Sequence, residues 1–207
     1  MNADASIVVS RPVLPAELVL LFHGVGASAR DLLPLAEMIA RSLPQAMVVS
    51  VDAPFASDFG TGRQWFSVQG VTEGDRPGRI AQAMPLFQQA VLRWQKVAGV
   101  SAGATTLLGF SQGAIMALES TQADVAVARR IVSLAGRFAS DVTSPPQGTV
   151  YHLIHGDRDM VVPIEHITRG ADQLKQLGVN VTLDVVPSLG HGIDARVAGL
   201  VMGYLAQ

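Results

Sequence analysis

The stretch Thr105-Thr106-Leu107-Leu108-Gly109-Phe110-Ser111-Gln112-Gly113-Ala114-Ile115-Met116-Ala117-Leu118 decides how this chain folds. An apolar run rich in Leu and Thr ends on Gly-x-Ser-x-Gly, and a helix-forming run begins at once. Strand, tight turn and helix in that order form the context of a nucleophile elbow, where a serine is held at the top of a sheet. So sharp a turn leaves no room for side chains two residues before and two after the serine, and both positions are glycine. Ser111 then projects its hydroxyl beside the N-terminus of the next helix. Free backbone N–H groups and the helix dipole favour negative charge developing there.

Gly-x-Ser-x-Gly alone is a weak pattern, because Gly99-Val100-Ser101-Ala102-Gly103 repeats it just upstream. Context separates the two. Ser101 precedes the strand, in a Gly/Ala/Ser-rich connection after a helical segment, and reads as a loop residue. Ser111 follows the strand.

Outward from this centre, strands and helices alternate. Ile7-Val8-Val9 reads as a short edge strand, and Leu18 to Phe22 as a strand buried on both faces. It ends in His23-Gly24-Val25-Gly26. Ser28 suits the N-cap of a helix over Ala29 to Ser42, with Leu32, Leu35, Ile39 and Leu43 as its apolar stripe and Pro44 as its stop. Met47 to Val51 is the next strand. From Asp52 to Pro77 glycines break the pattern around Trp65-Phe66, as in a long functional loop. A helix follows over Gly78 to Ala98. Beyond the Ser111 elbow come a strand over Arg130 to Gly136, a connection over Asp141 to Gly148 and a strand over Val150 to Ile154. Pro163 opens a helix to Leu177, Val179 to Val186 is the last strand, and a final helix reaches the C-terminus. This alternation predicts an α/β fold: a mostly parallel, doubly wound sheet of about seven strands with helices on both faces. Ligands gather at the carboxyl ends of such strands, where every polar motif of this chain falls.

At 207 residues the chain suits one domain, residues 1–207. With 49% apolar and 15% charged residues it can bury a large core. A formal net charge of −2 recruits neither nucleic acid nor an anionic membrane. There is no cysteine, hence no disulfide, thiolate nucleophile or Cys-based metal site. No apolar run approaches the ~18 residues of a membrane span, and the first residues lack a signal-peptide pattern. A cytoplasmic protein is expected, monomeric or homodimeric, with no metal or cofactor.

A serine hydroxyl needs a base within reach, and the base needs a group that fixes its tautomer. On such a turn the partners follow in chain order, acid then histidine. Asp157 and Asp159 offer the acid at one strand end. Asp157 lies closer to the strand and suits closing the turn, while Asp159 lies further out, within reach of a base. His191, flanked by Gly190 and Gly192, offers the base. His23 and His155 read as buried residues satisfying loop backbone, His152 as a strand residue and His166 as a solvated helix residue. Two backbone N–H groups must hold the oxyanion: that of Gln112, after the serine, and that of Val25, in the Gly-rich loop after an early strand.

Together these motifs resemble the phospholipase/carboxylesterase family, which includes acyl-protein thioesterases and small bacterial carboxylesterases. The matching segments are Leu21 to Gly26, Arg63-Gln64-Trp65-Phe66, Gly109 to Ala114, His155-Gly156-Asp157-Arg158-Asp159-Met160-Val161-Val162-Pro163 and Gly190-His191. The resemblance implies an α/β-hydrolase fold without a large cap domain and a triad of Ser111, Asp159 and His191. It also implies Trp65, with Phe66 beside it, at the mouth of an acyl pocket. Ala27-Ser28-Ala29 replaces the Asp-containing turn common in the thioesterases, which favours ester over protein-thioester substrates. The expected activity is hydrolysis of short- to medium-chain carboxylic esters, small-molecule substrates, through an acyl-enzyme on Ser111. A thioesterase or lysophospholipase using the same triad is the alternative. A non-catalytic small-molecule binder on the same fold is the remoter one.

Overall fold

The strand that ends at Ser111, β6 (Thr105–Phe110), lies in the middle of a seven-stranded sheet. The structure is a computed structural model that describes residues 5–122, 126–145 and 147–207. The other strands of this sheet are β1 (Ile7–Ser10), β2 (Glu17–Phe22), β3 (Ala46–Val51), β7 (Arg130–Leu134), β8 (Val150–Gly156) and β9 (Val181–Val186). A separate pair, β4 (Phe55–Ala56) and β5 (Arg63–Gln64), forms a small antiparallel hairpin. The main sheet runs in the order β1-β3-β2-β6-β7-β8-β9, and only β1 is antiparallel. The chain leaves β2 toward β3 on one side and later returns to β6 on the other. The loops after β2 and β6 therefore flank the crevice where the strand order reverses.

Residue alternation builds two cores. Leu18, Leu20 and Phe22 of β2 and Met47, Val49 and Val51 of β3 belong to one core with residues of α2 (Arg76–Ala98), α3 (Gln112–Glu119) and α4 (Ile164–Gln176). Val19, Leu21, Ala46 and Val48 face α1 (Leu33–Ser42) and α5 (Ala195–Leu205). Strands covered on both faces read as unbroken apolar runs, which is why β2 and β3 were plain in the sequence. Each fully buried Leu, Ile or Val contributes about 1.5–3 kcal/mol by its removal from water. Among the described residues, no helix is long and apolar enough to cross a membrane.

Several boundaries differ from expectation. The helix expected from Ala29 begins as a 3-10 turn over Ala29–Leu32, and α1 starts only at Leu33. Pro34 has no N–H, so an α-helical ladder cannot run through it from upstream. Ser28 does cap this segment, accepting from the Arg30 N–H in a capping box with Asp31. Helix α2 starts at Arg76, ahead of Gly78, because Pro77 fits the first turn, where its missing N–H is not needed. Strand β7 stops at Leu134 rather than Gly136, since Ala135 turns out of the extended region with φ 50°. The β4–β5 hairpin lies within the stretch expected as a long loop, since two residues per strand carry no periodicity.

Strand β8 also carries a pH-sensitive group. The His152 ring stacks on Tyr204 at 3.8 Å, and its Nδ1 lies 3.0 Å from Thr182 Oγ1. Burial, reinforced by the Arg130 charge, pulls its pKa down to about 4. An unfolded histidine takes its proton near pH ~6.5, so between those values the unfolded chain binds the extra proton. Stability from this group is complete above the unfolded value and drains as the pH falls toward the folded one. Burial lowers the pKa values of His23, His155 and His166 as well. The thermal midpoint followed by circular dichroism should therefore stay level above about pH 6.5 and fall as the pH is lowered toward about 4. A His152→Phe variant should lose less over that interval.

Candidate active site

Ser111 stands between β6 and α3 with φ 52° and ψ −116°. That conformation costs a non-glycine residue about 1–3 kcal/mol, which the packing around it must offset. The Ser111 N–H donates to Leu134 O at 2.9 Å, tying the turn to β7. The flanking glycines are compelled by contact. A Cβ on Gly109 would lie 2.4 Å from the backbone of Ala114, and one on Gly113 would lie 2.1 Å from Phe22 O. The first turn of α3 thus presses directly onto the end of β2. The other two described non-glycine residues with positive φ, Ala135 and Ser188, lie on the loops after β7 and β9.

His191 Nε2 lies 2.9 Å from Ser111 Oγ, and His191 Nδ1 lies 2.7 Å from Asp159 Oδ2. Three side chains spread over 80 residues of sequence therefore form one hydrogen-bonded chain. The Asp159 side chain is fully buried and that of His191 17% exposed, so the imidazole alone of this pair faces outward. Burial works to raise the Asp159 carboxyl. The bonds from His191 and from the N–H groups of Val162 and Val161 outweigh it and hold the pKa below the usual carboxylate value. Those N–H groups donate to Asp159 Oδ1 at 2.8 and 2.9 Å. The ring of Phe110 packs against that of His191 at 5.0 Å.

Asp157 does something else. Its Oδ1 accepts from the Ser188 N–H at 2.6 Å, pinning the loop that carries His191. It lies outside the Ser–His–acid chain. His155 is buried, and its Nε2–H donates to Val162 O at 2.8 Å, bracing the turn that holds Asp159. His23 is buried too: Nδ1–H donates to Gly24 O at 2.7 Å, and Nε2 accepts from the Ala53 N–H at 3.1 Å. Both serve loop backbone, as expected. His166 is not simply solvated; it is half-buried, with Nε2 lying 3.1 Å from Arg137 Nη1.

The loop after β2 comes up against the serine. A Cβ on Gly24 would stand 3.1 Å from Ser111 Cβ. Ala27 N–H donates to Gly24 O at 3.3 Å, and Gly26 has φ 80°, which makes Gly24–Ala27 a turn with glycine where positive φ is required. Val25 occupies the second position of that turn. Gln112 is the first residue of α3, so its N–H has no carbonyl one helical turn earlier within the helix.

Trp65 and Phe66 depart from expectation. Trp65 is 1% exposed and packs edge-on against Phe22 and Phe87 at 5.8 and 5.0 Å, and Phe66 is 4% exposed. Rings so enclosed cannot form the open mouth of a pocket; they pin the long loop into the core. Exposed apolar side chains stand instead at Met160 and Val161, next to Asp159 in the chain, and at Phe59, whose backbone oxygen comes near Gly26. Their signal was legible as apolar residues on loops at strand ends.

Known proteins resemble this chain in sequence and fold. The description of the phospholipase/carboxylesterase family matches residues 3–206. The chain is 44% identical over 199 residues to Esterase YpfH of Escherichia coli, covering 96% of this chain and 86% of that one. It is 26% identical over 210 residues to acyl-protein thioesterase 1 of Neurospora crassa, covering 91% and 85%. The crystal structure of esterase PE8 superposes with a TM-score of 0.90 at 25% identity, covering 99% of both chains.

Proposed function

We propose, from the premise that this chain belongs to the phospholipase/carboxylesterase family and is a hydrolase of carboxylic esters, that Ser111 is its nucleophile, His191 its base and Asp159 its orienting acid. The observation that carries this reading is the unbroken contact from Ser111 Oγ through His191 to Asp159, at 2.9 and 2.7 Å. The Asp159 carboxylate holds the Nδ1–H tautomer, which leaves Nε2 free to accept the serine proton. As Oγ attacks the ester carbonyl, that proton passes to Nε2 and the carbonyl oxygen becomes an oxyanion. The N–H groups of Val25 and Gln112 receive it; losing one such donor costs about 3 kcal/mol of transition-state stabilisation. The tetrahedral adduct collapses, and the alcohol departs with the proton from Nε2. Water, deprotonated by His191, then attacks the acyl-enzyme and returns the serine.

Within this reading the acyl groups are short to medium in length. Trp65, Phe22 and Phe87 fill the space between the sheet and α2. An acyl chain is left with the outer loops, where Phe59, Met160 and Val161 supply exposed apolar surface. The protein acts in the cytoplasm as a monomer or homodimer. The direct test is a fluorophosphonate probe followed by peptide mass mapping, beside a panel of p-nitrophenyl esters and acyl thioesters from two to sixteen carbons. The adduct should map to Ser111 and turnover should peak at or below about eight carbons. An adduct elsewhere would sink the assignment of the nucleophile. Preference for long-chain thioesters would shift the reading to a thioesterase.

A further inference from the structure

The side chain of Gln112 is 2% exposed and points away from solvent, across the active-site floor, to a segment 47 residues earlier in the chain. Its Oε1 accepts from the Trp65 N–H at 2.7 Å, and its Nε2 donates to Phe66 O at 2.8 Å. Both ends of the amide are therefore used on the backbone of one short segment. That segment continues back into β5, and β5 is locked to the turn after β2. The Gly26 N–H donates to Arg63 O at 2.9 Å, and the Arg63 N–H donates to Ala27 O at 2.7 Å. The fit is tight enough that a Cβ on Gly62 would lie 1.9 Å from Gly26 O. A continuous track of hydrogen-bonded backbone thus leads from the Gln112 amide, through Phe66, Trp65 and Arg63, to Gly26 and its neighbour Val25.

We infer that the Gln112 side chain is a positioning residue that sets the gap between the two oxyanion donors. Its own backbone N–H is one donor, and the far end of the track carries the other, that of Val25. The inference rests on the donor pair assigned under Proposed function. An amide is the group this job needs, since it presents a donor and an acceptor in one plane, fixed against rotation once both are used. The end of β2 packs on the first turn of α3 at Gly113, and the Gln112 amide adds the hydrogen-bonded tie from α3 to the segment that holds the turn beyond it. Without this clamp Val25 drifts, and a displacement on the order of 1 Å at a catalytic group can cost about 100-fold in rate. Substrate is bound in the ground state largely by other contacts, so the loss falls on the chemical step.

The test uses the full chain with Gln112→Met, which matches the length of the side chain and removes both bonds, and Gln112→Glu, which keeps an acceptor for the Trp65 N–H. Four quantities are measured: kcat and KM on p-nitrophenyl butyrate, affinity for benzeneboronic acid as a mimic of the tetrahedral adduct, and the thermal midpoint. Gln112→Met should lower kcat by about 10- to 100-fold with KM within about threefold, and weaken boronate binding by a similar factor. Relative to the parent at the same pH, Gln112→Glu should recover part of the loss as the pH falls, because a protonated carboxyl can again donate to Phe66 O. Turnover and boronate affinity within about threefold of the parent in both variants, with only the thermal midpoint lowered, would overturn the inference. The side chain would then be a loop clamp and nothing more. Ser111→Ala measured in parallel keeps the two questions apart: residual full activity there would overturn the site assignment, whatever the Gln112 variants do.

Discussion

Replacing Ser111 by alanine should lower kcat on p-nitrophenyl esters by about 10⁴-fold or more, leaving a residue of catalysis from binding and the oxyanion donors. Folding should be little affected, because the substitution removes one hydroxyl and relieves nothing that the packing depends on. Ser101→Ala is the matched control and should leave turnover unchanged. Ser101 has the same glycine pattern around it, but it precedes a 3-10 turn over Ala102–Ala104 and lies before β6 rather than after it. The six residues of β6 separate the two serines by roughly 20 Å at the ordinary rise of a strand. Similar losses in both variants, measured as steady-state rates on folded protein, would refute the assignment.

Asp159→Asn should be nearly as damaging, lowering kcat by about 10⁴-fold, because an amide can hold His191 in place while favouring the wrong tautomer. With Nδ1 accepting from the amide, the proton moves to Nε2, where it blocks removal of the serine proton. Asp157→Asn should cost less than about tenfold, since the amide oxygen can still accept from the Ser188 N–H. The pair tests the division of labour at this strand end. One carboxylate serves the imidazole and the other serves the loop that carries it. Equal or reversed losses would make Asp157 the orienting acid.

How much of this could be read in the sequence depends on how local each signal is. The β6–α3 turn was plain because the need for bare backbone at Gly109 and Gly113 is written within five residues. The parallel sheet was plain because strands covered on both faces become apolar runs, as Leu18 to Phe22 shows. The triad residues could be nominated because all three stand at strand ends in a fixed order. What escaped is non-local. Nothing near Trp65 in sequence says that its ring lies under Phe22 and Phe87. Nothing near Gln112 says that its amide reaches back to Trp65 and Phe66, or near Asp157 that its partner is Ser188. Pro34 and Pro77 were visible, but where each helix started depended on how the neighbouring turns were paired.

Strand β9, from which the His191 loop hangs, is an edge strand of the sheet and is only half covered along most of its length, whereas β6 beneath Ser111 is almost wholly enclosed. Ser111 and His191 are thus anchored in regions of unequal durability. Partial opening at a sheet margin requires far less free energy than melting the interior. Warming should therefore silence the enzyme while most of its secondary structure persists, and cooling should restore it without a full refolding event.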